Sequence, residues 1–179
     1  MEDENKIEEL KHILKNIQQQ LDLAKKVISG KIEKKQADSL LQAREKGSET
    51  ESEEGKVIEG VFNGEKMIGP DGKEYNVPPN YASKSKLVEG DMLKLTILPN
   101  GSFLFKQIGP IERDRIVGTI YYDEEKKQFL GRAESGSYKL LTAPVTYFKG
   151  ATGDEIIMLI PKEAQSAWAA VENIIKKEI

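Results

Sequence analysis

Val88-Glu89-Gly90-Asp91-Met92-Leu93-Lys94-Leu95-Thr96-Ile97-Leu98-Pro99 reads as a tight turn running into a strand, and Ala151-Thr152-Gly153-Asp154-Glu155-Ile156-Ile157-Met158-Leu159-Ile160-Pro161 reads the same way 63 residues later. In each stretch glycine can take the positive φ of a tight turn. The aspartate after it can accept hydrogen bonds from backbone N–H groups as the strand begins. The pair of Gly-Asp turns marks a fold and carries no catalytic signal.

Ahead of these turns, Val57-Ile58-Glu59-Gly60-Val61-Phe62 is echoed by Arg115-Ile116-Val117-Gly118-Thr119-Ile120, and Lys73-Glu74-Tyr75-Asn76-Val77 by Ser137-Tyr138-Lys139-Leu140-Leu141. These are short β-branched and aromatic runs separated by Asn-Gly, Asp-Gly, Gly-Ser and Pro-Pro, the pattern of a β-rich fold. An aromatic segment follows each Gly-Asp strand: Phe103-Leu104-Phe105-Lys106-Gln107-Ile108 in the first unit, Trp168 to Ile175 in the second. The latter fits a strand or a terminal helix equally well. A period of roughly 60 residues exceeds a solenoid repeat and suits a duplicated small barrel unit, spanning 57–114 and 115–179. Two barrels or one shared pseudo-symmetric barrel both satisfy the pattern, and a Gly-Asp turn before a core strand resembles the cradle-loop group.

Upstream of the body, Ile7, Leu10, Leu14, Ile17, Leu21, Ala24 and Ile28 fall on one seam at heptad a and d positions. No proline or glycine interrupts residues 4–28, and Ser29-Gly30 supplies a break. A second helix from about Lys31 to Lys46, carrying Ile32, Ala37, Leu40 and Leu41, would fold back on the first. Residues 1–46 therefore read as a helical hairpin, a coiled-coil-like arm that dimerises or docks through Leu14, Ile17 and Leu21, because isolated helices of this length are marginal in water. Residues 47–56, with Glu49, Glu51, Glu53 and Glu54 and no large apolar side chain before Val57, read as an acidic flexible linker. The expected fold class is thus α+β: an N-terminal helical hairpin followed by a duplicated, mainly β body.

The 179-residue chain is 38% hydrophobic and 32% charged, the balance of a soluble protein with part of its length outside any core. It has no cysteine, which removes disulfides, thiolate metal ligands and cysteine nucleophiles together. The acidic start Met1-Glu2-Asp3-Glu4 argues against a signal peptide, and no apolar run approaches the roughly 20 residues of a membrane helix. A cytoplasmic protein without membrane association is expected. Charge is segregated: residues 11–46 carry nine Lys or Arg against four Asp or Glu, whereas 57–179 carry sixteen basic and seventeen acidic residues.

No constellation specifies catalysis. Ser83-Lys84-Ser85-Lys86 has the S-x-x-K spacing that places serine and amine one helical turn apart, but the S-D-N and K-T-G partners are missing. Gly69-Pro70-Asp71-Gly72-Lys73 is a turn, since no Ser or Thr follows the lysine of a phosphate loop. Asp123, Glu124 and Glu125 are consecutive at a hairpin tip, where neighbouring carboxylates point apart. His12 is the only histidine, so a zinc site would need an all-carboxylate ligand set, for which no cluster appears. No enzyme, cofactor or metal is expected. Phe103 and Phe105 stand two apart on one strand face beside Lys106, with Tyr147-Phe148-Lys149 in the second unit, and aromatics beside lysines can stack bases and hold phosphates. Two phenylalanines in a strand are more often core, and nucleic-acid binding stays open on these residues.

The body, from Gly60-Val61-Phe62-Asn63-Gly64 through Tyr81-Ala82-Ser83-Lys84-Ser85-Lys86-Leu87-Val88-Glu89-Gly90-Asp91 to Trp168-Ala169-Ala170-Val171-Glu172-Asn173, resembles a family of uncharacterised proteins from candidate bacterial phyla. Some members of that family carry the name of the large-subunit ribosomal stalk protein. Lys149-Gly150-Ala151-Thr152-Gly153 is similar to a run in the stalk protein's C-terminal domain, and the layout of helical arm, hinge and compact body is similar as well. A weaker resemblance is to Gre-type transcription factors, in the helical hairpin and in the turn and strand from Tyr81 to Leu95. Their metal-holding acidic tip is replaced here by Ile28-Ser29-Gly30-Lys31. The first resemblance implies a non-enzymatic, ribosome-associated adaptor with a protein partner and a homodimer through the arm; the second implies an RNA polymerase-binding factor without cleavage activity.

Overall fold

The computed structural model describes residues 14, 17, 18, 21, 22, 24, 25, 27–30, 47–52, 55–162 and 164–177. Eleven strands and two short helices make up the body: β1 (Glu49–Ser52), β2 (Gly55–Phe62), β3 (Lys66–Ile68), β4 (Glu74–Asn76), α1 (Pro79–Lys84), β5 (Met92–Ile97), β6 (Phe103–Gly109), β7 (Arg113–Asp123), β8 (Gln128–Ala133), β9 (Gly136–Leu140), α2 (Thr142–Tyr147), β10 (Glu155–Pro161) and β11 (Trp168–Ile175). No helix among the described residues is long and apolar enough to cross a membrane.

The second half closes into a barrel ordered β10-β11-β9-β8-β7. Its first strand, β7, is long enough to serve two partners: Arg113–Thr119 pair with β10 and Thr119–Asp123 with β8. Gly118 sits at the changeover, where a Cβ would run into the Arg132 carbonyl oxygen of β8. Only glycine lets β7 lie this close to the backbone of β8. Parallel pairing of Trp168 with Lys139 and of Ala169 with Leu140 seals β11 to β9. A five-stranded barrel of this kind, with its helix between the third and fourth strands, resembles the OB-fold, a five-stranded Greek-key barrel.

The first half repeats the order as β4-β3-β2-β5-β6, with α1 between β4 and β5, but β4 and β6 remain sheet ends. Rings bridge the gap instead: Tyr75 and Phe103 meet edge-on with centroids 6.5 Å apart, and Tyr81 and Phe105 lie 6.2 Å apart. Each half has its own core. Ile58, Phe62, Met67, Leu93 and Leu95 are buried in one, and Ile120, Leu140, Val145, Ile156 and Met158 in the other. Each such side chain contributes about 1.5–3 kcal/mol when fully buried.

The Gly-Asp turns superimpose in chemistry as well as in sequence. Gly90 and Gly153 have φ of 99° and 98°. Asp91 Oδ2 accepts from Val88 N at 2.9 Å, as Asp154 Oδ2 does from Ala151 N at 2.9 Å. The other oxygen of each carboxylate accepts a backbone N–H just beyond the last strand of its own half, from Ile111 at 3.0 Å and from Lys177 at 3.2 Å.

Two expectations need correction. The α+β fold led by a helical hairpin gives way to a mainly β molecule, with no helical hairpin or coiled coil among the described residues. Leu14, Ile17, Leu21 and Ile28 are helical, yet 65%, 56%, 48% and 86% exposed, and no second helix covers the seam among the described residues. Heptad spacing specifies an apolar stripe but not a partner for it, which is why the pattern overreached. The expected second helix, residues 31–46, lies outside the described residues. The acidic stretch, read as a tether, supplies β1, which pairs antiparallel with β2 from Glu49↔Ile58 to Ser52↔Gly55. An ion pair between Glu49 and Lys56 offsets the repulsion that predicted a free linker.

Candidate nucleic-acid interface

Strand alternation decides which side chains of the closed barrel face outward. Ile120, Gly131 and Tyr138 point into the core, so their neighbours Tyr121, Leu130, Arg132 and Lys139 point away from it. Register then aligns Tyr121 with Leu130, Leu130 with Lys139, and Lys139 with Trp168, one row across β7, β8, β9 and β11. The Arg132 guanidinium lies over the Tyr121 ring at 4.1 Å, and the Lys139 ammonium lies 5.5 Å from the centre of the Trp168 ring. Both contacts are within cation–π range. Neither cation has a carboxylate partner among the described residues. Glu155, opposite Thr119 on the β10 side, bounds the row.

Trp168 is held from behind. Its ring packs on Gly64 of the first half, whose φ is 102° and where any Cβ would collide with the indole. Its backbone N–H donates to Glu89 Oε1 at 3.1 Å, beside that of Ala167 at 3.0 Å. Two further links tie the halves together. Asp91 accepts from Arg113 Nη2 at 2.6 Å, and Glu172 pairs with Arg115 and, at 3.5 Å, with Lys86. The Arg115 guanidinium holds the Glu172 carboxyl below its ordinary range.

The first half serves as an internal control. By register, the places of Tyr121, Arg132 and Lys139 are taken there by Asn63, Ile68 and Asn76. Ile68 is buried beside Val61, and Lys66 is paired with Glu74 at 2.6 Å. The fold therefore does not require an aromatic-and-cation row on this face, and among the described residues only the second copy has one.

The residues singled out by sequence fall elsewhere. Phe105 lies opposite buried Leu95 on the core side of β6 and packs on the first core, while Lys106 lies opposite Lys94 on the other side. Phe103 and Phe105 thus share no stacking surface with Lys106. Leu14, Ile17 and Leu21 remain exposed on their helical segment. Lys86 falls beyond α1 with a φ of 49° and turns to Glu172, and Tyr147 is exposed while Phe148 packs on the barrel core. No group of three or more His, Asp or Glu able to hold a metal occurs among the described residues. Tyr121, Arg132, Lys139 and Trp168 escape a sequence reading because they lie on four different strands and meet only through register.

No protein-family model matches the chain, and no curated protein sequence matches it.

Proposed function

We propose that this chain is a non-enzymatic binding protein whose closed barrel holds a short single-stranded nucleic acid across β7, β8 and β9. The observation that carries this reading is the outward row of two cation-over-aromatic pairs, unmatched by carboxylates, on the face that OB-folds use for oligonucleotides. Tyr121 would stack a base, and Arg132 and Lys139 would each neutralise a phosphate. Stacking contributes about 1–3 kcal/mol per base. The resemblance to proteins named for the ribosomal stalk supports the ribosome as the assembly that supplies the strand, and the cysteine-free sequence supports a cytoplasmic setting.

Fluorescence anisotropy with a labelled oligonucleotide tests the reading. Two phosphate contacts give a slope of log affinity against log salt of about −1.4, and Arg132→Gln brings it to about −0.7. Tyr121→Ala weakens binding about tenfold or more. An affinity indifferent to both substitutions would remove the face from consideration. Density-gradient sedimentation of lysate at low and high salt then locates the partner: co-migration with ribosomes supports the ribosomal setting, and co-migration with RNA polymerase would replace it.

A further inference from the structure

Beside this face, at the end of the barrel where β10 meets the start of β7, lies an open groove of about 490 Å³ bordered by Asp114, Ser135, Ser137, Tyr138, Gln165 and Ser166. Ser137 is the register partner of Arg132, so the groove begins where the cation row ends. Its polar groups divide into two sets. Tyr138 and Ser135 hydroxyls bond each other at 3.0 Å, the Ser166 hydroxyl is taken by the Trp168 backbone, and Lys162 is matched by Glu112 at 2.9 Å. The side chains of Asp114, Ser137 and Gln165 make no hydrogen bond among the described residues.

A free carboxylate accepts hydrogen bonds and repels phosphate, so the group it suits is a hydroxyl that donates. A serine hydroxyl and a carboxamide beside it can donate in return. We infer that the groove takes the sugar edge of the bound strand and that Asp114 accepts a hydrogen bond from a ribose 2′-hydroxyl, which makes the protein selective for RNA over DNA. This rests on the nucleic-acid reading above and narrows it. The 2′-hydroxyl, both donor and acceptor, is the sugar group that separates the two polymers.

The test compares one labelled single strand as RNA, as 2′-O-methyl RNA and as DNA, bound to the wild-type chain and to Asp114→Ala at constant salt. The wild type is expected to bind RNA about tenfold more tightly than the other two strands, the effect of one hydrogen bond to a charged group. Asp114→Ala is expected to lower RNA affinity to the DNA level and leave DNA affinity unchanged. Because the methylated strand tests the hydroxyl on unaltered protein, folding of the variant does not decide the result. Equal wild-type affinity for all three strands, or a preference that survives Asp114→Ala, overturns the groove assignment while leaving the Tyr121 face intact. Failure of the wild type to bind any strand overturns the parent reading and this one together.

Discussion

Asp91 and Asp154 occupy the same turn in the two copies and do unequal work. Both carboxylates anchor a turn and a strand exit through backbone N–H groups, but Asp91 also accepts from Gln107 Nε2 at 2.9 Å and pairs with Arg113 on the strand that opens the second half. Arg113 is mostly buried, with its Nε unpartnered, so deletion of Asp91 leaves a cation without its counter-charge. Asp91→Ala is expected to cost about 3 kcal/mol or more in chemical denaturation, and Asp154→Ala clearly less. Asp154 differs in another respect: the Ala151 and then the Lys177 N–H groups hold its carboxyl below the ordinary range. Its folded-state pKa is depressed, so its contribution is present above about pH 4 and is lost as pH falls through the folded value. Asp154→Asn should therefore flatten the acid limb of stability against pH; an unchanged limb would show that other carboxylates govern it. These aspartates were legible in the sequence because the turn chemistry is local. Tyr121, Arg132 and Lys139 were not, because nothing local to any of them reveals its cross-strand neighbour.

At the scale of elements, strands and helices differed in how far their patterns could be trusted. The β-branched runs after Gly90 and Gly153 became strands because each finds partners on both sides, β2 and β6 for β5, β7 and β11 for β10. The seam through Leu14, Ile17 and Leu21 is an equally regular pattern, but it meets no opposing face among the described residues, so periodicity alone did not make a hairpin. β1 shows the converse: a stretch with no apolar signal became a strand because an edge of β2 was available to pair it. The change of partner along β7, from β10 up to Thr119 to β8 beyond it, is the element-level feature on which the candidate site depends, and Gly118 allows the close approach of β8 beside it. Gly118→Ala is expected to destabilise the barrel by more than about 1 kcal/mol and to weaken oligonucleotide binding, read by thermal denaturation and anisotropy on the same sample. Full retention of both would mean that the close approach at Gly118 does not position the face.

Across the whole molecule, duplication has produced two copies of one strand order with different endings. The first copy is not closed by strand pairing, with tyrosine and phenylalanine rings across its gap, and its outer face is filled by Val61, Ile68 and Met92. The second is sealed by β9 and β11, and its outer face carries free cations over aromatic rings. The duplication itself is visible in sequence as two Gly-Asp strands. The divergence is not, because it depends on closure and on which positions register places outward. The two halves are joined through Glu89, Asp91 and Glu172, and the proposed binding role falls to the second alone. The most direct test is a ¹H–¹⁵N NMR titration of the full chain with a single-stranded RNA oligonucleotide. Shift changes are expected at the amides of Tyr121, Arg132 and Lys139, with Asn63, Ile68 and Asn76, their counterparts in the first copy, unmoved. Changes at that second set, or none at the first, would contradict the assignment of binding to the closed barrel.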